Sequence, residues 1–489
     1  MQITALGHSC VLLDLDGEQP TRILVDPWLS DHAVGDGMGR FPRVRFAAED
    51  LAPHAVYLTH GHCDHLDPYT LVRLWRELEH PPVLILPATL ALLVPVFREH
   101  LPGVRILVLQ PHEPVIFRGV ELLGFYDVSP VPTNEDDVMV LVVTNGDERV
   151  LVEADANLSL DDPELRAFVS HLMREPGITS SVFLTTENEL TATLASRSCR
   201  TLEDREALVD QARDELLEAV HALYAPVDDP DDLWQGEHVV RLIHGQGLTA
   251  PHELDPRWQH ILFPVRIEHR VREERAAAEA YGCRHTIDAL TVGAVHRVEG
   301  GRVVDRTPEP ALTLLDAEEA RTYDPDLAFF PELPCAPIRG GERDVEAQRT
   351  RIEAVLNGRF LPYLAGSRQP PLIHLLAAYG GSYTVRVVFG DEPVDFTLGF
   401  GAHGFVAGEP GGEPQEAWWA DDLEDFLDGR CDAFSGFCRE PFPDVESRLW
   451  ACLGMPLLDG DLLLKRTALH FERASAGLSP ESWVLPLYA

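Results

Sequence analysis

Lysine is almost missing from this 489-residue chain: of its 40 basic residues only Lys465 is lysine, and the rest are arginine. With abundant Ala, Pro and Gly, that skew reads as the bias of a GC-rich genome and says little about function. Positive charge is scarce altogether. The formal net charge is −40, which excludes a sequence-independent attraction to nucleic acid or to an anionic membrane. No two of the eight cysteines form a C-x-x-C pair, so the thiols are expected to be reduced, as in a cytoplasmic protein, and not to form a disulfide framework. No apolar run approaches the ~20 residues a bilayer requires; the longest, about 83–97, is interrupted by Pro87 and Pro95. The first residues run straight into strand-like sequence, Ile3-Thr4-Ala5-Leu6, so no signal peptide is expected. No G-x-G-x-x-G follows a strand, and no internal repeat is evident.

Apolar residues make up 45% of the chain, ordinary for a globular protein, and the length is too great for one hydrophobic core. Residues 1–170 alternate short β-branched runs with turns and helical patterns, which predicts an α/β layered fold. Expected strands include Ala55–Leu58, Val138–Thr144, Arg149–Val152 and Val239–Ile243. Expected helices include Tyr69–Glu79, Ala88–Glu99 and 202–224. A Pro- and Gly-rich stretch, 305–369, reads as a connector with one helix. Beyond it, Tyr383–Phe389 and Val394–Phe400 alternate like an antiparallel pair, and Trp418–Leu427 reads as an amphipathic helix. The expected division is 1–304, 305–369 and an α+β unit, 370–489.

His60-Gly61-His62-Cys63-Asp64-His65 follows the apolar run Ala55–Leu58 directly. A strand ending there delivers four metal-capable side chains into one turn. Neutral imidazole and carboxylate suit zinc, iron or manganese, and two such clusters can hold two ions side by side.

Together with Gly7-His8-Ser9 and Val25-Asp26-Pro27-Trp28-Leu29, this motif resembles the metallo-β-lactamase superfamily, most nearly its branch with ascorbate-phosphate lactonases and CMP-N-acetylneuraminate hydroxylases. The resemblance covers about residues 1–300. It implies an αββα sandwich with a dinuclear metal site at one edge of the sheets. On that resemblance His60 and His62 match ligands of a first ion, and Asp64 and His65 ligands of a second. Asp155, after the strand Arg149–Val152, matches the bridging carboxylate, and His244, after Val239–Ile243, matches the last histidine ligand. Asp26 matches an aspartate that orients ligand histidines by accepting their second N–H. His8 is expected either to line the pocket or to brace the first hairpin.

One part of the pattern departs. Hydrolases of the superfamily usually give the first ion a third histidine, from the loop midway between the motif and the bridging aspartate. Here that loop, 126–137, contains none. Glu135 is the expected replacement, with Asp127 and Asp137 as alternatives. A carboxylate there adds negative charge and a harder donor, the ligand type of non-haem iron that activates O2. Diiron β-hydroxylases of the same fold resemble this chain in carrying glutamate at that place. The sialic-acid hydroxylases need a Rieske cluster, for which the lone Cys283-Arg284-His285 is insufficient.

Two functions follow. The favoured one is a diiron O2-dependent oxygenase or hydroxylase acting on a small organic substrate, with a separate electron-donor protein. The alternative is a zinc- or manganese-dependent hydrolase of lactonase or phosphodiesterase type, in which Asp64 or Asp155 orients the attacking water. The composition is also compatible with a homo-oligomer. Arg197 and Arg200 either meet an anionic substrate or pair with surface carboxylates. The stretches around Trp418–Gly429 and Leu453–Gly460 faintly resemble sterol-carrier-like domains, which implies an apolar pocket or a dimer surface.

Overall fold

The computed structural model describes residues 1–17, 19–31, 39–127, 137–156, 158–187, 202–225, 232–249, 265–310, 312–315, 343–365, 376, 380–430 and 456–478. Two sheets dominate the first 308 residues. The first, in spatial order, comprises Arg302–Pro308, Ala294–Glu299, Gln2–Gly7, Cys10–Leu15, Thr21–Val25, Ala55–Tyr57, Val83–Pro87 and Arg105–Leu109. Its last four strands run parallel and the others antiparallel. The second comprises Thr286–Ala289, Val239–Gly245, Ser180–Glu187, Glu148–Val152, Met139–Asn145, Val120–Tyr126 and Val115–Phe117. There the first four strands are parallel.

The apolar runs in these strands are nearly continuous because both faces of each sheet are covered. In Cys10–Leu15, Val11 and Leu13 join Leu141, Val150, Leu184 and Leu242 between the sheets. Cys10 and Leu12 point the other way, towards Leu71, Leu74 and Phe97 on the outer helices. The second sheet repeats the arrangement, with Phe183 and Ile243 facing Val220, Tyr224 and Trp234. The result is an α/β sandwich layered helix, sheet, sheet, helix.

The remaining described residues include helices and a four-stranded sheet, ordered Val406–Gly408, Glu392–Gly399, Ser382–Phe389, Glu416–Trp419. Several local expectations differ from what is found. Trp418 and Trp419 end a strand, and only Ala420–Leu427 is helical; the β-favouring tryptophans pair beside Val387 and Val388 instead of opening the helix. The expected boundary after residue 304 falls inside Arg302–Pro308. The expected connector is also packed: Leu312–Leu314 pairs with Val44–Phe46, and Ile352, Leu356 and Phe360 share a core with Tyr383, Phe396 and Phe426. Ala88–Leu93 is a 3-10 turn, and the α-helix begins only at Val94, with Pro95 in its first turn. Among the described residues no helix is long and apolar enough to cross a membrane.

Candidate metal centre

Parallel strands place their carboxyl ends on one edge of each sheet, where loops converge. Thr21–Val25 ends at Asp26, Ala55–Tyr57 leads into Thr59 and the histidine motif, Glu148–Val152 leads to Asp155, and Val239–Gly245 carries His244. The first strand, running alongside in the same sense, ends at His8. His8, Asp26 and Ala154 adopt left-handed backbone angles, φ +49°, +44° and +50°. Such strain in non-glycine residues gathers at functional sites, where surrounding contacts hold it in place.

The motif turns back on itself through Leu66 N–H donating to the His62 carbonyl at 2.8 Å. The turn then stops at Asp67, whose carboxylate caps Pro68–Glu77 by accepting from Tyr69 N–H at 3.0 Å. Two groups of potential ligand atoms result, each within 4.8 Å of one another: His60, His62 and Asp155, and His8, Asp64 and His65.

Three imidazoles are oriented by acceptors behind them. His65 Nδ1 donates to Asp26 Oδ2 at 2.8 Å. The Thr59 hydroxyl donates to the same oxygen at 2.7 Å, so its lone pair accepts from His60 Nδ1 at 2.9 Å. His244 Nδ1 donates to the His8 carbonyl at 3.1 Å. In His60 and His244 the Nε2 lone pair is left for the site. His65 Nε2 lies 2.8 Å from Asp155 Oδ2. Among the described residues the Nε2 atoms of His60 and His244, and Oδ1 of Asp64, are buried without a hydrogen-bond partner. Buried polar atoms normally have one, so these orphaned donors, all of metal-ligand type, fit a pair of bound cations.

The electrostatics agree with that fit. Burial, reinforced by the neighbouring histidines, holds the His60 pKa well below the ordinary value, and burial brings His244 down to about 4; both rings are neutral and able to ligate. Burial also opposes charge on His65, but Asp155, Asp26 and Asp64 outweigh it and hold its pKa well above normal. Burial alone would raise Asp64 and Asp155; the charge of His65 dominates and keeps both below the ordinary carboxylate range.

Of the expected site residues the structure brings together His60, His62, Asp64, His65 and Asp155. His244 belongs to neither group of potential ligands and stands behind His8 through the bond already given. Asp26 is fully buried, and it holds Thr59 N–H at 2.8 Å as well as the two groups above. Glu135, Arg197 and Arg200 lie outside the described residues. Asp127 and Asp137 belong to neither group of potential ligands; Asp127 instead accepts from Ser159 N–H at 2.8 Å. His8 is closer to the chemistry than a hairpin brace. Its Nε2 lies 2.9 Å from Asp64 Oδ2. The Gly7-His8-Ser9 signal was present in the sequence, but nothing local says that this turn meets residue 64.

Residues 2–166 match the β-lactamase superfamily domain. The match covers the N-terminal third of the chain and bears out the resemblance carried by the histidine motif. A UPF0173 metal-dependent hydrolase from Methanosarcina mazei is 36% identical over 66 residues, 14% of this chain and 23% of that protein. Among solved structures, CmlA, a diiron β-hydroxylase from Streptomyces venezuelae, aligns with a TM-score of 0.34 at 14% identity, over 61% of this chain and 54% of CmlA. The metallo-β-lactamase fold protein YhfI from Bacillus subtilis aligns with a TM-score of 0.32 at 12% identity, over 62% of this chain and 99% of YhfI. The chain thus spans about a quarter of the hydrolase and about half of CmlA. Enzymes of the β-lactamase superfamily are metal-dependent, mostly hydrolases with some oxygenases, and the fold usually holds two ions.

Proposed function

We propose that this chain is a dinuclear metal-dependent enzyme whose two ions are iron, serving O2-dependent oxidation of a small organic substrate. The carrying observation is the donor set. His80, His100 and His112 are the only histidines between the motif and Asp155, and none belongs to either group of potential ligands. His112 is exposed and stacks near Phe125, and His100 stacks on Phe471. The usual third imidazole is therefore not replaced from elsewhere in that stretch. Glu135 is the carboxylate we assign to the first ion with His60 and His62; Asp64, His65 and His244 go to the second, with Asp155 between them.

Iron would supply the redox chemistry with O2, using electrons from a separate donor protein. The chain's own part is preorganisation. Asp26 and Thr59 lock two imidazoles, His8 holds Asp64, and the buried edge of the sandwich excludes water from the inner ligands.

A hydrolase using zinc or manganese is the second reading, favoured by the hydrolase relative from Methanosarcina mazei. Metal analysis of protein made without added metal, with optical spectra before and after reduction and air exposure, separates the two. Two irons per chain and an absorption that bleaches on reduction and returns with O2 support oxidation. Two zincs, or manganese without an O2 response, would establish the hydrolase and reject the oxygenase.

A further inference from the structure

The last described helix, Pro456–Ser475, is shared between two cores. Leu462 packs with Leu423 and Phe426 of the C-terminal unit. Leu463, Phe471 and Ala474 instead enter the core of the metal-bearing sandwich, beside Leu71, Leu90 and Phe97. Phe471 meets Phe97 edge to face at 5.5 Å. His470 Nδ1 and the Tyr69 hydroxyl are 3.2 Å apart, and Arg76 Nη2 donates to the Ser475 carbonyl at 2.6 Å. The helix therefore lies along Pro68–Glu77, the helix that follows the histidine motif.

Its contact with the motif itself is closer. Arg466, buried, donates from Nη2 to the carbonyl of Gly61 at 2.5 Å. Gly61 joins His60 to His62. A Cβ at Gly61 would lie 3.0 Å from both methyls of Leu463 and 3.3 Å from Leu90. The helix thus occupies the space a side chain would need and holds the Gly61–His62 peptide, one of the two whose rotation would change the spacing of the two imidazoles. Glycine is the residue with the greatest backbone freedom, and a guanidinium donor makes the stronger, charge-assisted kind of hydrogen bond. Arg466 is in turn seated from behind: a Cβ on Gly429, in the turn after Ala420–Leu427, would come within 2.8 Å of the Arg466 backbone. A chain of contact runs from the C-terminal unit through Gly429, Arg466 and Gly61 to His60 and His62.

We propose that the C-terminal unit contributes a positioning residue to the metal centre: Arg466 fixes the Gly61 peptide and with it the relative placement of His60 and His62. The proposal rests on the reading of those two histidines as ligands of one ion. It makes the C-terminal unit part of the centre's construction, not an appendage.

The test is titration of metal-free full-length protein with Co(II), followed by its visible spectrum and by chelator competition, with the apoprotein's melting temperature recorded alongside. In the parent and in Arg466→Met, Arg466→Lys and Phe471→Ala the readings separate placement from stability. Arg466→Met should weaken one of the two Co(II) sites at least tenfold and alter its spectrum while the other site keeps its affinity. Arg466→Lys, which restores a charged donor, should recover part of the loss. Phe471→Ala, which loosens the helix away from Gly61, should lower the melting temperature with both affinities near the parent's. Parental affinity and spectrum in Arg466→Met would overturn the proposal, and so would an equal loss in Phe471→Ala. Should Arg466→Met not fold, Gly61→Ala takes its place: it should lose the same site and regain it in combination with Leu463→Ala, and unchanged binding in both would overturn the proposal. A parent whose two-ion binding is unaffected by His62→Ala would instead reject the ligand reading.

Discussion

Asp26 and His65 are 39 positions apart in the chain and share a fully buried hydrogen bond of 2.8 Å from imidazole Nδ1 to carboxylate Oδ2. The same oxygen accepts from Thr59, which in turn accepts from His60. One carboxylate thus orients two rings. Asp26→Asn should bind the ion at Asp64 and His65 ten- to a hundredfold more weakly, the usual cost of losing such a partner. Chelator competition on the metal-free protein reads this, and unchanged affinity would remove Asp26 from the account.

The first ion's donor set can be converted. Glu135→His restores the imidazole that hydrolases of this fold usually carry, and the softer, neutral donor should move the metal taken up from iron towards zinc. Elemental analysis of parent and variant expressed side by side gives the answer. Identical metal content and identical O2 response would show that residue 135 is not a ligand.

Beneath the second sheet, Arg166 grips Asp232 with two hydrogen bonds, 2.6 Å and 3.1 Å, both side chains being buried. Asp232 also caps the turn at Trp234. Asp232→Ala leaves the guanidinium buried and uncompensated, which costs about 3–5 kcal/mol. Urea denaturation should show the midpoint falling accordingly, and a loss below about 1 kcal/mol, the range of exposed pairs, would mean water reaches Arg166.

His285 lies against Trp234, 4.6 Å between ring centres, and stacks on Tyr224 at 5.4 Å. Burial, helped by the charge of Arg241, lowers its pKa to about 4. The unfolded chain takes up that proton at about 6.5. Between these values the unfolded state binds more protons than the native state, so stability falls as pH is lowered from 6.5 towards 4 and is unaffected by this group above 6.5. The full effect is roughly 3 kcal/mol. His285→Phe should flatten this part of the stability profile of the metal-free protein, measured by denaturant unfolding from pH 4 to 8. Parallel profiles for parent and variant would refute it.

Much of this was readable in one dimension. The two-sided apolar runs of Cys10–Leu15 and Val239–Ile243 announce strands covered on both faces, and His60–His65 announces a metal loop because four donors sit within six positions. Asp155 and His244 are singled out only by the resemblance, since a lone acid or histidine at a strand end has no distinguishing local pattern. The tryptophans at 418 and 419 lie in a strand and not in the expected helix because helical spacing and strand pairing compete, and the parallel neighbour Ser382–Phe389 decides in favour of the strand.

The sequence alone determined the alternation of strands and helices and the gathering of four metal-capable side chains in the motif, because periodicity dictates which side of an element is buried and adjacency brings short-range groups together. Only the tertiary structure decided that His8 meets Asp64, that Asp26 serves both His65 and the Thr59–His60 pair, and that Arg466 reaches Gly61 across 405 positions. A periodic pattern specifies that a side chain is buried but not against which residue. That pairing comes from the packing of whole elements, whose free energy is spread over many weak contacts and is written at no single position.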